Sequence, residues 1–202
     1  MTTSFLKSKF DRYWLDRINE TKTTNNDQQD HNKLRTYKAY KSSFTREPYF
    51  DLVINRNQRS SLTRLRTGSH FLGIERGRWT RPVTPLEKRT CPYCSPPSTS
   101  TASSPSPGST PPSPTPGPVD DEKHFLVGCT RFATERTTAF KELSPLVLGL
   151  ADMSESDKFM TLICPTQAKA AKIANRLIKL MFELRDSIDK DRDNPPADQL
   201  IL

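Results

Sequence analysis

Cys91-Pro92-Tyr93-Cys94 and His124-Phe125-Leu126-Val127-Gly128-Cys129 are the segments whose residue types and spacing point most directly to chemistry. Two thiols separated by two residues, then an imidazole and a thiol separated by four, supply the donors of a tetrahedral Cys3His zinc site. A short C-x-x-C lets one tight turn present both sulfurs to one ion, and H-x4-C does the same from the start of the next element. Four protein ligands leave no position for water, so the pattern predicts one structural zinc per chain rather than a catalytic metal. A redox reading of Cys91 and Cys94 lacks the surrounding βαβ pattern. A disulfide framework needs a secretory context, and Met1-Thr2-Thr3-Ser4-Phe5-Leu6-Lys7 leads into no apolar run or cleavage site. The fourth cysteine, Cys164 in Leu162-Ile163-Cys164-Pro165, reads as a half-buried packing residue.

Between the two halves of this pattern, residues 95–118 consist only of Ser, Thr, Pro, Gly and Ala. They read as a disordered insert in the ligand loop; without them Val119-Asp120-Asp121-Glu122-Lys123 would close a compact zinc knuckle. The insert raises loop-closure entropy by only about 1–2 kcal/mol, against about 10–16 kcal/mol for structural zinc in small peptides. Its Ser-Pro and Thr-Pro pairs, from Ser95-Pro96 to Thr115-Pro116, are also candidate sites of proline-directed phosphorylation.

The chain has 202 residues, 33% hydrophobic, and no stretch near the roughly 20 apolar residues of a membrane span. Its net charge of +8 is unevenly placed. Residues 1–94 carry 19 Lys and Arg against 9 Asp and Glu, whereas residues 119–202 carry 12 against 14. That asymmetry predicts an anionic partner for the front half.

Helical periodicity dominates the elements that must position the ligands. Phe5, Leu6, Phe10, Trp14 and Ile18 mark an amphipathic helix within residues 1–20, followed by a polar linker to Asp30. Residues 30–94 carry a helix marked by Leu34, Tyr37, Tyr40 and Phe44, with Asp30 as its N-cap. Another helix follows over 48–67, broken near Asn55 and Asn57 and stopped by Gly68. Phe71-Leu72-Gly73-Ile74-Glu75-Arg76-Gly77-Arg78-Trp79 reads as a short β-hairpin, and Pro82 and Pro85 keep the chain extended up to Cys91. Residues 119–190 hold the second half of the knuckle, a helix over 124–143, and a helix capped by Ser154 with Asp157 in the capping-box position. A final helix opens at Thr166 and carries the stripe Ile173, Leu177, Leu180, Met181, Leu184 and Ile188. That stripe packs on the other helices or docks a partner helix. Residues 191–202 read as a disordered tail.

Arg56, Arg59, Arg64, Arg66, Arg76, Arg78, Arg81, Lys88 and Arg89 fall between residues 52 and 91, opposed only by Glu75 and Glu87. Arg56, Arg59 and Arg66 share a helix face suited to a phosphate backbone, and Trp79 and Tyr93 have rings on which unpaired bases can stack. The plainer alternative is a solvated arginine face with Trp79 covering the hairpin.

Leu62-Thr63-Arg64-Leu65-Arg66-Thr67-Gly68-Ser69-His70, then Ile74-Glu75-Arg76-Gly77-Arg78-Trp79, Arg89-Thr90-Cys91-Pro92-Tyr93-Cys94 and Asp121-Glu122-Lys123-His124-Phe125-Leu126 form an ordered series. Over residues 62–129 this series resembles the zinc-binding carboxyl-terminal tail of LINE-type (non-long-terminal-repeat) retrotransposon reverse transcriptases. The resemblance implies that Cys91, Cys94, His124 and Cys129 are the metal ligands and that the arginine-rich segment meets template RNA or target DNA. The Pro/Ser/Thr insert departs from that pattern, and the sequence holds no Tyr-x-Asp-Asp polymerase turn. The expectation is therefore a mostly α, small helical domain with a short hairpin and an interrupted Cys3His knuckle. It is expected to bind RNA or single-stranded DNA without catalysis, inside the cell, in nucleus or cytoplasm. The alternative is a protein-interaction scaffold in which zinc only orders the fold.

Overall fold

A computed structural model describes residues 3–19, 33–43, 45–52, 55–94 and 117–193. Eight α-helical elements are present in these residues: α1 (Thr3–Asn19), α2 (Arg35–Tyr40), α3 (Tyr49–Leu52), α4 (Arg56–Arg66), α5 (Gly73–Arg76), α6 (Ala133–Leu143), α7 (Glu155–Ile163) and α8 (Ala168–Asp193). No β-strand occurs among the described residues, only an isolated antiparallel bridge between Thr90 and Val119. The mostly helical class expected from periodicity is thus present.

The long helix α8 is the spine, against which α3, α4, α6 and α7 pack. Its buried face comprises Ala170, Ala171, Ala174, Leu177, Ile178, Met181 and Phe182, a three–four spacing that keeps one stripe inward. Each large member contributes about 1.5–3 kcal/mol by leaving water, and the alanines let neighbouring backbones approach. This face is rotated from the expected stripe: Leu177 and Met181 are buried, but Leu180 is exposed. The expected stripe omitted the alanines, and with them the side on which the neighbours lie. The helix also runs to Asp193, three residues into the expected tail.

Helix α4 begins where Asn55 accepts from the backbone N–H groups of Asn57 and Gln58 at 3.0 and 3.2 Å. It ends in a Schellman pattern, with Ser69 N–H donating to Arg64 O at 2.9 Å. Gly68 has φ of +62°, and a Cβ there would lie 2.5 Å from the Lys33 carbonyl, so both conformation and space require glycine. Ser154 caps α7 by accepting from Asp157 N–H, as its sequence predicts.

The expected hairpin over 71–79 is replaced by α5, a single helical turn. The reason lies 47 residues away in sequence: the Asp120 carboxylate takes Gly73 N–H at 2.6 Å, and Asp120 O takes Ile74 N–H at 3.0 Å. Those bonds serve the start of a turn and turn Leu72, Ile74 and Glu75 inward. Apolar residues flanking a charged tip gave the strand signal, but the charge of Glu75 is buried. Asp30, Phe44 and nearly all of the 95–118 insert lie outside the described residues.

Candidate metal centre and its supporting ion pairs

Thr90 and Val119 form the bridge that joins the two halves of the cysteine-histidine pattern across the insert. Cys91 N–H donates to Pro118 O at 2.8 Å, and Asp120 N–H donates to Arg89 O at 2.8 Å. Backbone pairing therefore holds residues 89–91 against 118–120 independently of the insert's length. Immediately after Cys91, a turn brings Cys94 N–H to within 3.3 Å of Cys91 O.

On the other side, residues 124–128 form a π-helical turn. Its i→i+5 bond, from Cys129 N–H to His124 O at 2.6 Å, brings residue 129 beneath residue 124 in one wide turn. The expected continuous helix over 124–143 is instead broken at Cys129, whose backbone is extended before a 3-10 turn leads into α6. Gly128 makes room for the imidazole: a Cβ there would stand 3.1 Å from His124 Nδ1.

The donor atoms of Cys91, Cys94, His124 and Cys129 all lie within 4.8 Å of one another. The Cys129 sulfur lies 3.8 Å from that of Cys91 and 3.7 Å from that of Cys94. His124 Nε2 is buried without a hydrogen-bond partner. Four donors of this kind can hold a metal ion, and Cys164 stands apart from them, half-buried beside Arg66. Among the protons of the group, hydrogen bonding to Cys129 and burial push the Cys91 thiol up to about 12. The same bond from Cys91 pulls the Cys129 thiol below its ordinary value. For His124 burial favours the neutral ring, but Cys91 and Cys94 outweigh it and raise its pKa. A metal ion entering such a group displaces shared protons.

Behind the cluster lies an aromatic core in which Phe125 stacks on Phe182 at 5.1 Å and meets Phe132 edge-on at 5.3 Å. Around it runs a set of buried ion pairs that the sequence reading did not find. Glu122 pairs with Arg35 at 2.5 Å and His70 at 2.8 Å. Arg35 also reaches Glu75 at 2.5 Å, and Asp120 takes Arg185 through both oxygens at 2.8 and 3.2 Å. Asp120-Asp121-Glu122, three consecutive acids directly after a stretch with no charged residue, was the available signal.

These pairs redistribute the residues expected at a nucleic-acid surface. Arg66 is 4% exposed and pairs with Glu47 at 2.8 Å; Arg89 is 5% exposed and donates to Ile74 O and Thr84 O. Arg59, Arg64 and Arg78 are half-buried, with Arg78 donating to Glu75 at 3.3 Å. Tyr93 is half-buried against Arg185. Arg56, Arg76, Arg81 and Lys88 are exposed, and Trp79 is 74% exposed. No described helix is long and apolar enough to cross a membrane. No protein-family model, curated protein or solved structure matches the chain.

Proposed function

We propose that the chain is a non-catalytic, zinc-stabilised module that binds RNA or single-stranded DNA. The cluster's sulfur spacing supports zinc: with zinc–sulfur bonds of about 2.3 Å, a tetrahedral edge is about 3.8 Å, against 3.7 and 3.8 Å here. Three thiols and one imidazole are soft donors of the kind zinc takes, and four of them fill its tetrahedron.

The single observation that carries the nucleic-acid reading is Trp79, 74% exposed in a segment with Arg76, Arg78 and Arg81. The nearest acid in sequence, Glu75, is 3% exposed and engaged by Arg35 and Arg78. An open indole in an arginine-rich segment, with the nearest acid in sequence already engaged, favours a ligand having both π-faces and negative charge.

The test is anisotropy of a labelled single-stranded RNA, titrated with zinc-loaded protein across a salt series. Affinity falls with salt at about −0.7 log units per phosphate contacted. Trp79→Ala weakens binding by about 1–3 kcal/mol for each base that stacks. Salt-independent binding, or none, overturns the reading; the first outcome favours the protein-interaction scaffold.

A further inference from the structure

A second feature lies away from the metal cluster. Residues 40–43, 45 and 47–49, Arg66 of α4, and residues 163–166 at the end of α7 enclose a cleft of about 490 Å³. That volume is within the range of small-molecule sites. Its lining holds three ionised side chains: Lys41, Glu47 and Arg66, each 8% exposed or less. Lys41 and Arg66 both pair with Glu47, so two buried cations share one carboxylate. Arg66 is clamped between the rings of Tyr40 and Tyr49, at 4.1 and 4.6 Å.

Hydrogen bonding is unbalanced in the same direction. Arg66 Nε and the Tyr40 hydroxyl are buried without partners, while Glu47 already accepts from Arg66 and Tyr37. Cys164 does not supply the missing negative charge, because burial pushes its thiol up. A buried cation in excess is costly unless an anion compensates it. The walls beyond this charged floor are apolar or aromatic: Tyr40, Pro48, Tyr49, Ile163 and Pro165.

We infer that this cleft is a binding site for a small organic anion, a phosphate or carboxylate head on an apolar or aromatic body of about nucleotide size. The inference is independent of the nucleic-acid reading and of the metal. The anion offsets the surplus positive charge of Lys41 and Arg66, and the aromatic walls take the body.

Cys164 lines the cleft and lies outside the metal cluster, so its alkylation reports occupancy. Zinc-loaded protein is treated with iodoacetamide, and modification of the Cys164 peptide is followed by mass spectrometry with AMP, benzoate, inorganic phosphate or adenosine present. AMP or benzoate is expected to slow alkylation at least several-fold; adenosine, which lacks the anion, is not. Protection by AMP alone assigns a phosphate head and by benzoate alone a carboxylate head. Protection by inorganic phosphate equal to that by AMP removes the aromatic body from the proposal. Arg66→Gln abolishes protection. Because that change also breaks a buried pair, Ser43→Glu, which places a carboxylate at an exposed lining position, is made beside it and also abolishes protection. An alkylation rate unchanged by AMP and benzoate, or slowed equally by adenosine, overturns the inference.

Discussion

The Tyr93 hydroxyl donates to the Asp189 carboxylate at 2.8 Å, joining the tip of the C-x-x-C turn to the last turns of α8. Arg185 completes the joint. Its guanidinium lies 4.8 Å from the Tyr93 ring, pairs with Asp120 and donates to Asp189 at 3.1 Å. The residue between two of the candidate metal ligands is thus packed on a helix 96 positions further along the chain. Metal binding at Cys91 and Cys94 is therefore expected to couple to the docking of the α8 C-terminus through that side chain.

Chelation therefore loosens a defined part of α8. Hydrogen exchange is expected to rise over residues 185–193 when metal is removed or in Cys94→Ser, while residues 170–182, buried against α4, α6 and α7, retain protection. Tyr93→Phe reproduces part of the effect and costs about 1 kcal/mol, the net worth of one hydrogen bond. Uniform loss of protection along α8 would contradict the coupling.

Asp120 ties two distant segments together: it takes Gly73 N–H, and both oxygens face Arg185. Asp120→Ala leaves Arg185 buried and only partly compensated, so about 3–5 kcal/mol of stability is expected to be lost. Denaturant unfolding checks this, and a loss below 1 kcal/mol would show that the pair is replaced by water.

The π-turn is tuned at Gly128. A Cβ 3.1 Å from His124 Nδ1 forces the ring to shift, and Gly128→Ala is expected to weaken metal affinity by about 10- to 100-fold, as other changes beside metal ligands do. Competition with a chromogenic chelator measures it. Unchanged affinity would mean that the ring moves freely.

At alkaline pH the Tyr37 phenol is the group to watch. Burial first, and then Glu47, push its pKa up to about 12, from about 10 in an unfolded chain. A raised folded-state value gives stability that is complete below pH 10 and is lost as pH rises towards 12. Thermal melting should fall across that window, in step with tyrosinate absorbance, and Tyr37→Phe should make the fall shallower. A melting temperature that holds constant from pH 9 to 12 would contradict the assignment.

The cysteine-histidine cluster was legible because C-x-x-C and H-x4-C are local patterns, and metal geometry constrains their spacing. Helix limits followed from Asn55, Gly68 and Ser154, whose signals lie within a few residues of the structure they make. What the sequence concealed depends on partners far along the chain. The alternation over 71–79 does not reveal that Asp120 will catch Gly73 and Ile74. Nor does the clustering of arginines separate Arg66 and Arg89, spent on interior bonds, from Arg76 and Arg81 on the surface. The π-turn escaped because helical periodicity does not distinguish one wide turn from an ordinary one.

Whether the fold depends on one zinc ion at Cys91, Cys94, His124 and Cys129 is read most directly from native mass spectrometry of the purified protein beside Cys94→Ser, with thermal melting before and after chelation. One zinc per chain is expected, absent from the variant, with a melting temperature that drops when the metal is removed. A metal-free protein whose melting is indifferent to chelator would contradict it.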